Sequence, residues 1–129
     1  MQLNPDCIRD LLLTVEENAD HSHTMDYPAD PPIEYKALAS YSKDLVLYHI
    51  RQCLLSGLFT QVLCHSEGCM ISELSKKGHA FIANIRSDTN WEKTKSIAQE
   101  AGSWSLNTLS QIATSVISDA LLGRLSQYK

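Results

Sequence analysis

Cys64, His65 and Cys69 lie close together in the chain, and thiols and imidazoles are zinc-ligating groups. A structural zinc site takes four such ligands, and no fourth stands at suitable spacing. The trio therefore reads as ordinary strand residues or as a reduced pair of thiols facing each other across two strands. Asp20, His21, His23 and Asp26 form a second group of ligand types. They sit in a polar loop, where such residues often occur without metal. Nucleophilic catalysis needs a Ser or Cys beside a placed base and an oxyanion-binding turn. No Gly-x-Ser-x-Gly, Walker-type or dinucleotide loop is present. The expectation is a non-enzymatic protein with no catalytic residue, no metal and no cofactor.

Binding chemistry is better represented. Ser42, Lys43, Tyr48, Arg51 and Gln52 fall on one predicted helix, and Lys76 and Lys77 open another. Arg, Lys, Gln and Ser are types that contact phosphates and base edges, so these seven residues form the candidate DNA-binding set. Leu47 and Tyr48 look more like an apolar contact for protein. Residues 60–73 contain no Lys or Arg, which weakens any docking of that segment on phosphates. Lys76, Lys77, Arg86, Lys93 and Lys95 concentrate positive charge against Asp88 and Glu92, and they read first as a solvated helical face, since exposed lysines need no partner. Trp91 and Trp104 read as packing residues, because isolated tryptophans without flanking basic runs are mostly structural. His79 is expected to pack or hydrogen-bond at the start of its helix.

The chain of 129 residues, 43% hydrophobic and 20% charged, can bury a real core. Its net charge of −4 is uneven: residues 1–58 hold nine acids and four bases, and residues 59–129 hold six acids and seven bases. That balance lowers the expectation of a nucleic-acid partner without excluding one. No apolar run is long enough to span a bilayer, and the opening Met-Gln-Leu-Asn-Pro-Asp is unlike a signal peptide, so a cytoplasmic location with no membrane partner is expected. Cys7, Cys53, Cys64 and Cys69 form neither a dense disulfide framework nor zinc knuckles.

Asn4-Pro5 is a helix start, and Ile8, Leu11, Leu12 and Val15 recur at helical spacing, predicting a helix over 5–18. Residues 20–32 hold three of the four prolines and read as an irregular connection. Ile33 to Tyr41 is ambiguous between strand and helical turn, a degenerate second element. Ser42 caps a third element, with Val46, Ile50, Cys53 and Leu54 on one face and Gly57 as its left-handed stop. Leu58 to Cys64 and Cys69 to Leu74 read as two strands joined by the loop His65-Ser66-Glu67-Gly68. Ser75 caps the next helix, which runs to about Arg86 and presents Phe81, Ile82 and Ile85 to the core. Thr89-Asn90-Trp91-Glu92 reads as a capping box opening a helix that reaches Gly102.

The last predicted helix, Ser105 to about Gln127, carries an apolar stripe that includes Leu106, Leu109, Val116, Ile117, Leu121 and Leu125. At roughly 33 Å it is longer than a small domain can cover, which predicts a homodimer through this helix. Leu47, Tyr48, Leu109, Val116, Ile117 and Leu121 are the candidate interaction residues.

Four blocks of this chain resemble a family of bacterial and phage proteins known only as a domain of unknown function. They are Leu3-Asn4-Pro5-Asp6-Cys7-Ile8-Arg9-Asp10-Leu11-Leu12; Tyr48-His49 with Ser56-Gly57-Leu58; Leu74-Ser75-Lys76-Lys77-Gly78-His79-Ala80-Phe81-Ile82 followed by Ile85-Arg86; and Trp91-Glu92-Lys93-Thr94-Lys95. Ser75 and Ile82 depart mildly from the pattern, and Cys53 stands where a larger aliphatic is usual. The resemblance implies a winged-helix-like domain and no particular activity.

The expected fold is mainly α with a small β-hairpin: a winged helix-turn-helix core over 1–87 and a C-terminal helical extension over 88–129. The expected function is a phage- or prophage-type DNA-binding regulator that reads double-stranded DNA with helix 42–56. Its alternative is a protein-protein interaction module that uses the winged-helix surface and the C-terminal helix.

Overall fold

In the computed structural model the described residues are 1–29 and 34–126, with backbone alone for 125 and 126. They form α1 (Pro5–Asn18), β1 (Met25–Tyr27), one 3₁₀ turn (Lys36–Leu38), α2 (Lys43–Leu55), β2 (Val62–His65), β3 (Gly68–Ile71), α3 (Lys76–Ile85), α4 (Asp88–Ala101) and α5 (Leu106–Ser126). The fold is mainly helical with a small antiparallel sheet, as the periodicity predicts. The chain divides into two compact units, Met1–His79 and Ala80–Lys129. The division falls within α3, upstream of the 87/88 boundary read from the sequence.

In the first unit Asn4 caps α1, its side chain accepting from the Cys7 amide, and Pro5 opens the helix where no N–H is needed. α1 buries Cys7, Ile8, Leu11, Leu12 and Val15 and packs against α2 and the 3₁₀ turn. The turn is the degenerate second element; Ile33, its expected start, lies outside the described residues. Tyr41 ties this region to α1 by donating its hydroxyl to Asp10 Oδ2 at 2.7 Å. Ser42 caps α2, as expected. Gly57, at φ +76°, makes the left-handed stop that an L side chain adopts only with strain.

The sheet has three strands in the order β1-β3-β2, all antiparallel. The expected hairpin is present, and β1 is added from the segment read as irregular. Three residues are too few to display alternation, and the partner that makes them a strand lies far along the chain. The hairpin loop is also shorter than expected. His65 and Gly68 pair with each other, leaving only Ser66 and Glu67 in the turn. Beyond the named strands the same register continues through Thr60 N–H to Glu73 O, Ser72 N–H to Gln61 O and the Phe59–Leu74 bridge. Alternation puts Met25, Ile71 and Cys69 on the buried face and Asp26, Leu63 and Met70 on the outer one.

α3 is capped by Ser75, whose Oγ accepts from the Gly78 amide at 3.0 Å. Phe81, Ile82 and Ile85 are buried, as their spacing predicts, whereas His79, expected to pack or hydrogen-bond, is exposed. α4 starts two residues earlier than its predicted capping box: Ser87, not Thr89, is the N-cap, accepting from the Asn90 amide at 3.1 Å. Ser105 caps α5 through the Thr108 amide. In the second unit α4 buries Trp91, Thr94 and Ala98, α5 buries Leu106, Leu109, Ala113 and Val116, and the two helices pack together. The Leu125 side chain and Gln127 lie outside what is described. No helix among the described residues is long and apolar enough to cross a membrane.

Candidate functional site

Two clusters of hydrogen bonds fix the position of α2, the helix on which most of the candidate DNA-binding residues stand. The first is at His49, which is fully buried. Its Nδ1–H donates to the Leu45 carbonyl at 2.7 Å, and its Nε2 accepts from the Asn4 backbone amide at 2.8 Å. Only the neutral imidazole can do both. Burial holds the His49 pKa below its ordinary value of 6.5, and the bond to the Leu45 carbonyl offsets this in part.

The second cluster lies where α2 ends and α3 begins. The Ser75 hydroxyl donates to the Gly57 carbonyl, the Ser75 amide to the Leu58 carbonyl, and Lys77 Nζ to the Ser56 carbonyl at 3.0 Å. A cation on the last carbonyls of a helix also meets the negative end of its dipole. Gly78 is needed here for space, since a Cβ would collide with the Leu58 carbonyl oxygen. Lys77, one of the candidate DNA contacts, is thus engaged in holding α3 to the end of α2.

The remaining candidates on α2 divide by burial. Lys43 and Arg51 are exposed, and Leu47, Tyr48 and Gln52 are half-buried, with the Tyr48 ring set edge-on to His49. Ser42 is exposed but uses its hydroxyl as the cap. Lys76 is exposed at the start of α3. Leu55, on the last turn of α2, is 69% exposed.

Lys43 also borders a groove of about 530 Å³ over the outer face of the sheet. Its floor includes Leu63 and Met70, cross-strand partners that are 52% and 37% exposed. Its rim includes Asp26, His65 and Glu67. The groove therefore offers an apolar floor and charges of both signs.

No cluster of His, Cys, Asp or Glu able to hold a metal ion occurs among the described residues. Cys64 and Cys69 stand directly opposite in the β2–β3 ladder and form a disulfide. The reduced thiol pair and the ordinary strand residues of the sequence reading are replaced by a covalent cross-strand link, which the register alone makes feasible. Asp20 and His23 form a turn, with Asp20 Oδ1 accepting from the amides of Ser22 and His23 and lying 3.0 Å from His23 Nδ1. The Ser22 amide first, and then the His23 ring and the Ser22 hydroxyl, hold the Asp20 carboxyl well below its usual range. Cys7 and Cys53 are buried free thiols; burial pushes Cys7 up to about 12 and raises Cys53 as well.

The family model described as Hypothetical protein (DUF2513) matches residues 2–104. The chain belongs to this family. No curated protein and no solved structure matches it. The matched span takes in α1 to α4 and ends in the turn before α5. The family blocks recognised in the sequence meet in the first unit: Asn4 of the first touches His49 of the second, and Gly57-Leu58 touch Ser75 and Gly78 of the third. Much of what makes these blocks distinctive therefore builds the fold.

On α5, Leu109 and Val116 are buried in the second unit, so they serve its core before any partner. Ile117 is half-buried, and Leu121 is exposed. Sequence reasoning missed Leu63 and Met70 because two apolar runs give no sign of which alternate residues face outward. It missed His49 as an anchor because its partner is a backbone amide, which has no signature in side-chain types.

Proposed function

We propose that the chain is a non-enzymatic protein-interaction module whose docking surface is the groove between the start of α2 and the outer face of the hairpin, on a winged-helix core. The Leu63–Met70 pair carries this reading. Single exposed apolar residues are ordinary, but two that face each other across strands and floor a groove form a patch. The rim charges Lys43, Asp26 and Glu67 suit a peptide segment with apolar side chains and charges of both signs. A phosphate backbone would meet Asp26 and Glu67 unfavourably, and Lys77 is already engaged with the Ser56 carbonyl.

DNA binding is the second reading. The order helix, strand, 3₁₀ turn, helix and two strands, with the sheet order β1-β3-β2, supports a winged-helix core. That core would make α2 the reader, with Lys43 and Arg51 free to reach a duplex. In either reading this is a cytoplasmic protein of phage or prophage type that dimerises through α5.

Titration against random duplex DNA at low and moderate salt, with selection from a random peptide library, separates the two. The interaction reading expects no retardation at low salt. It also expects apolar peptides whose binding falls about tenfold or more in Leu63→Asp. Retardation that falls steeply with salt and weakens in Arg51→Ala and Lys43→Ala, with no peptide selected, would replace it with the DNA reading.

A further inference from the structure

α4 and α5 are joined by a short turn and packed as a pair, and α5 has 21 residues to the 14 of α4. Along their shared surface runs an open groove of about 350 Å³ lined by Lys93, Ser96, Ile97, Val116, Asp119 and Ala120. Ile97 is 44% exposed there. One wall carries a base, Lys93 on α4, and the other an acid, Asp119 on α5; among the described residues neither has an ion-pair partner. An apolar floor between opposite charges is complementary to a rotated copy of itself.

We infer that this groove receives the same groove of a second copy, in a two-fold bundle of four helices. The inference rests on the dimeric reading and supplies its geometry. A two-fold axis parallel to the helices, lying in the plane of contact, sets α4 of each copy over α5 of the other. Lys93 then meets Asp119 of the second copy, and the reverse contact follows by symmetry. An axis across the helices would set α4 on α4 and α5 on α5, bringing like charges together. In the first arrangement every neighbouring pair of helices is antiparallel, which opposes their dipoles and suits bundle packing. Ile97 becomes covered, and the two α5 helices run parallel along a diagonal.

The test is sedimentation equilibrium of the full chain over a range of concentrations, with helicity checked by circular dichroism. The wild type is expected to be a dimer. Lys93→Glu and Asp119→Lys are each expected to weaken it about tenfold or more, and the double reversal to restore it to within about threefold. Both positions are exposed, so the fold should survive the changes. A wild type that is monomeric throughout overturns this arrangement and the dimeric reading together. A dimer that ignores the single reversals, or that the double reversal does not rescue, overturns the arrangement alone.

Discussion

The imidazole of His49 accepts the backbone amide of Asn4 at 2.8 Å across 45 residues of chain. This bond joins the cap of α1 to the middle of α2 and makes the helix pair sensitive to protons. The His49 pKa is lowered in the folded state, so below 6.5 the unfolded chain binds more protons than the folded one. Stability is fully present above pH 6.5 and is lost as pH falls from there towards the depressed folded value. Thermal denaturation between pH 7.5 and 5 should show a falling midpoint. His49→Phe should flatten that part of the profile while costing about 2 kcal/mol, because the Asn4 amide is left unsatisfied.

Gly78→Ala tests the close approach of α3 to the end of α2. In a free helix the change would gain about 1 kcal/mol. Here the new methyl meets the Leu58 carbonyl oxygen, so a net loss of about 2 kcal/mol or more is expected by urea denaturation. A neutral or stabilising outcome would show that the junction gives way easily.

Lys77→Ala separates a structural lysine from a binding one. Loss of the bond to the Ser56 carbonyl should cost about 0.5–1 kcal/mol of stability. Peptide binding at the Leu63–Met70 groove should be unchanged, as should any retardation of DNA. A binding defect without loss of stability would return Lys77 to the contact surface.

Cys64 and Cys69 close a short loop that strand pairing already holds, so the disulfide should add at most about 2 kcal/mol. Alkylation of the denatured chain should count two thiols without reductant, Cys7 and Cys53, and four after reduction. In the native chain Cys7 and Cys53 should resist alkylation, since burial raises both thiols. Four reactive thiols without reductant would show the hairpin to be open.

The elements that local rules govern were legible in the residues themselves. Asn4-Pro5, Ser42, Gly57 and Ser75 mark helix ends through short-range hydrogen bonding and backbone conformation, and the structure places caps and stops at all four. The apolar spacing of α1 gives its buried face for the same reason, because helical period depends only on neighbours a turn away. The tertiary structure alone decided what depends on distant partners. Met25–Tyr27 is a strand because β3 lies beside it. Lys77 is engaged because the Ser56 carbonyl points at it, and Leu63 and Met70 face outward because β3 offers its other side to the core. Side-chain types show which groups can bind, but which of them remain uncovered is settled only when the chain has used the rest to hold itself together.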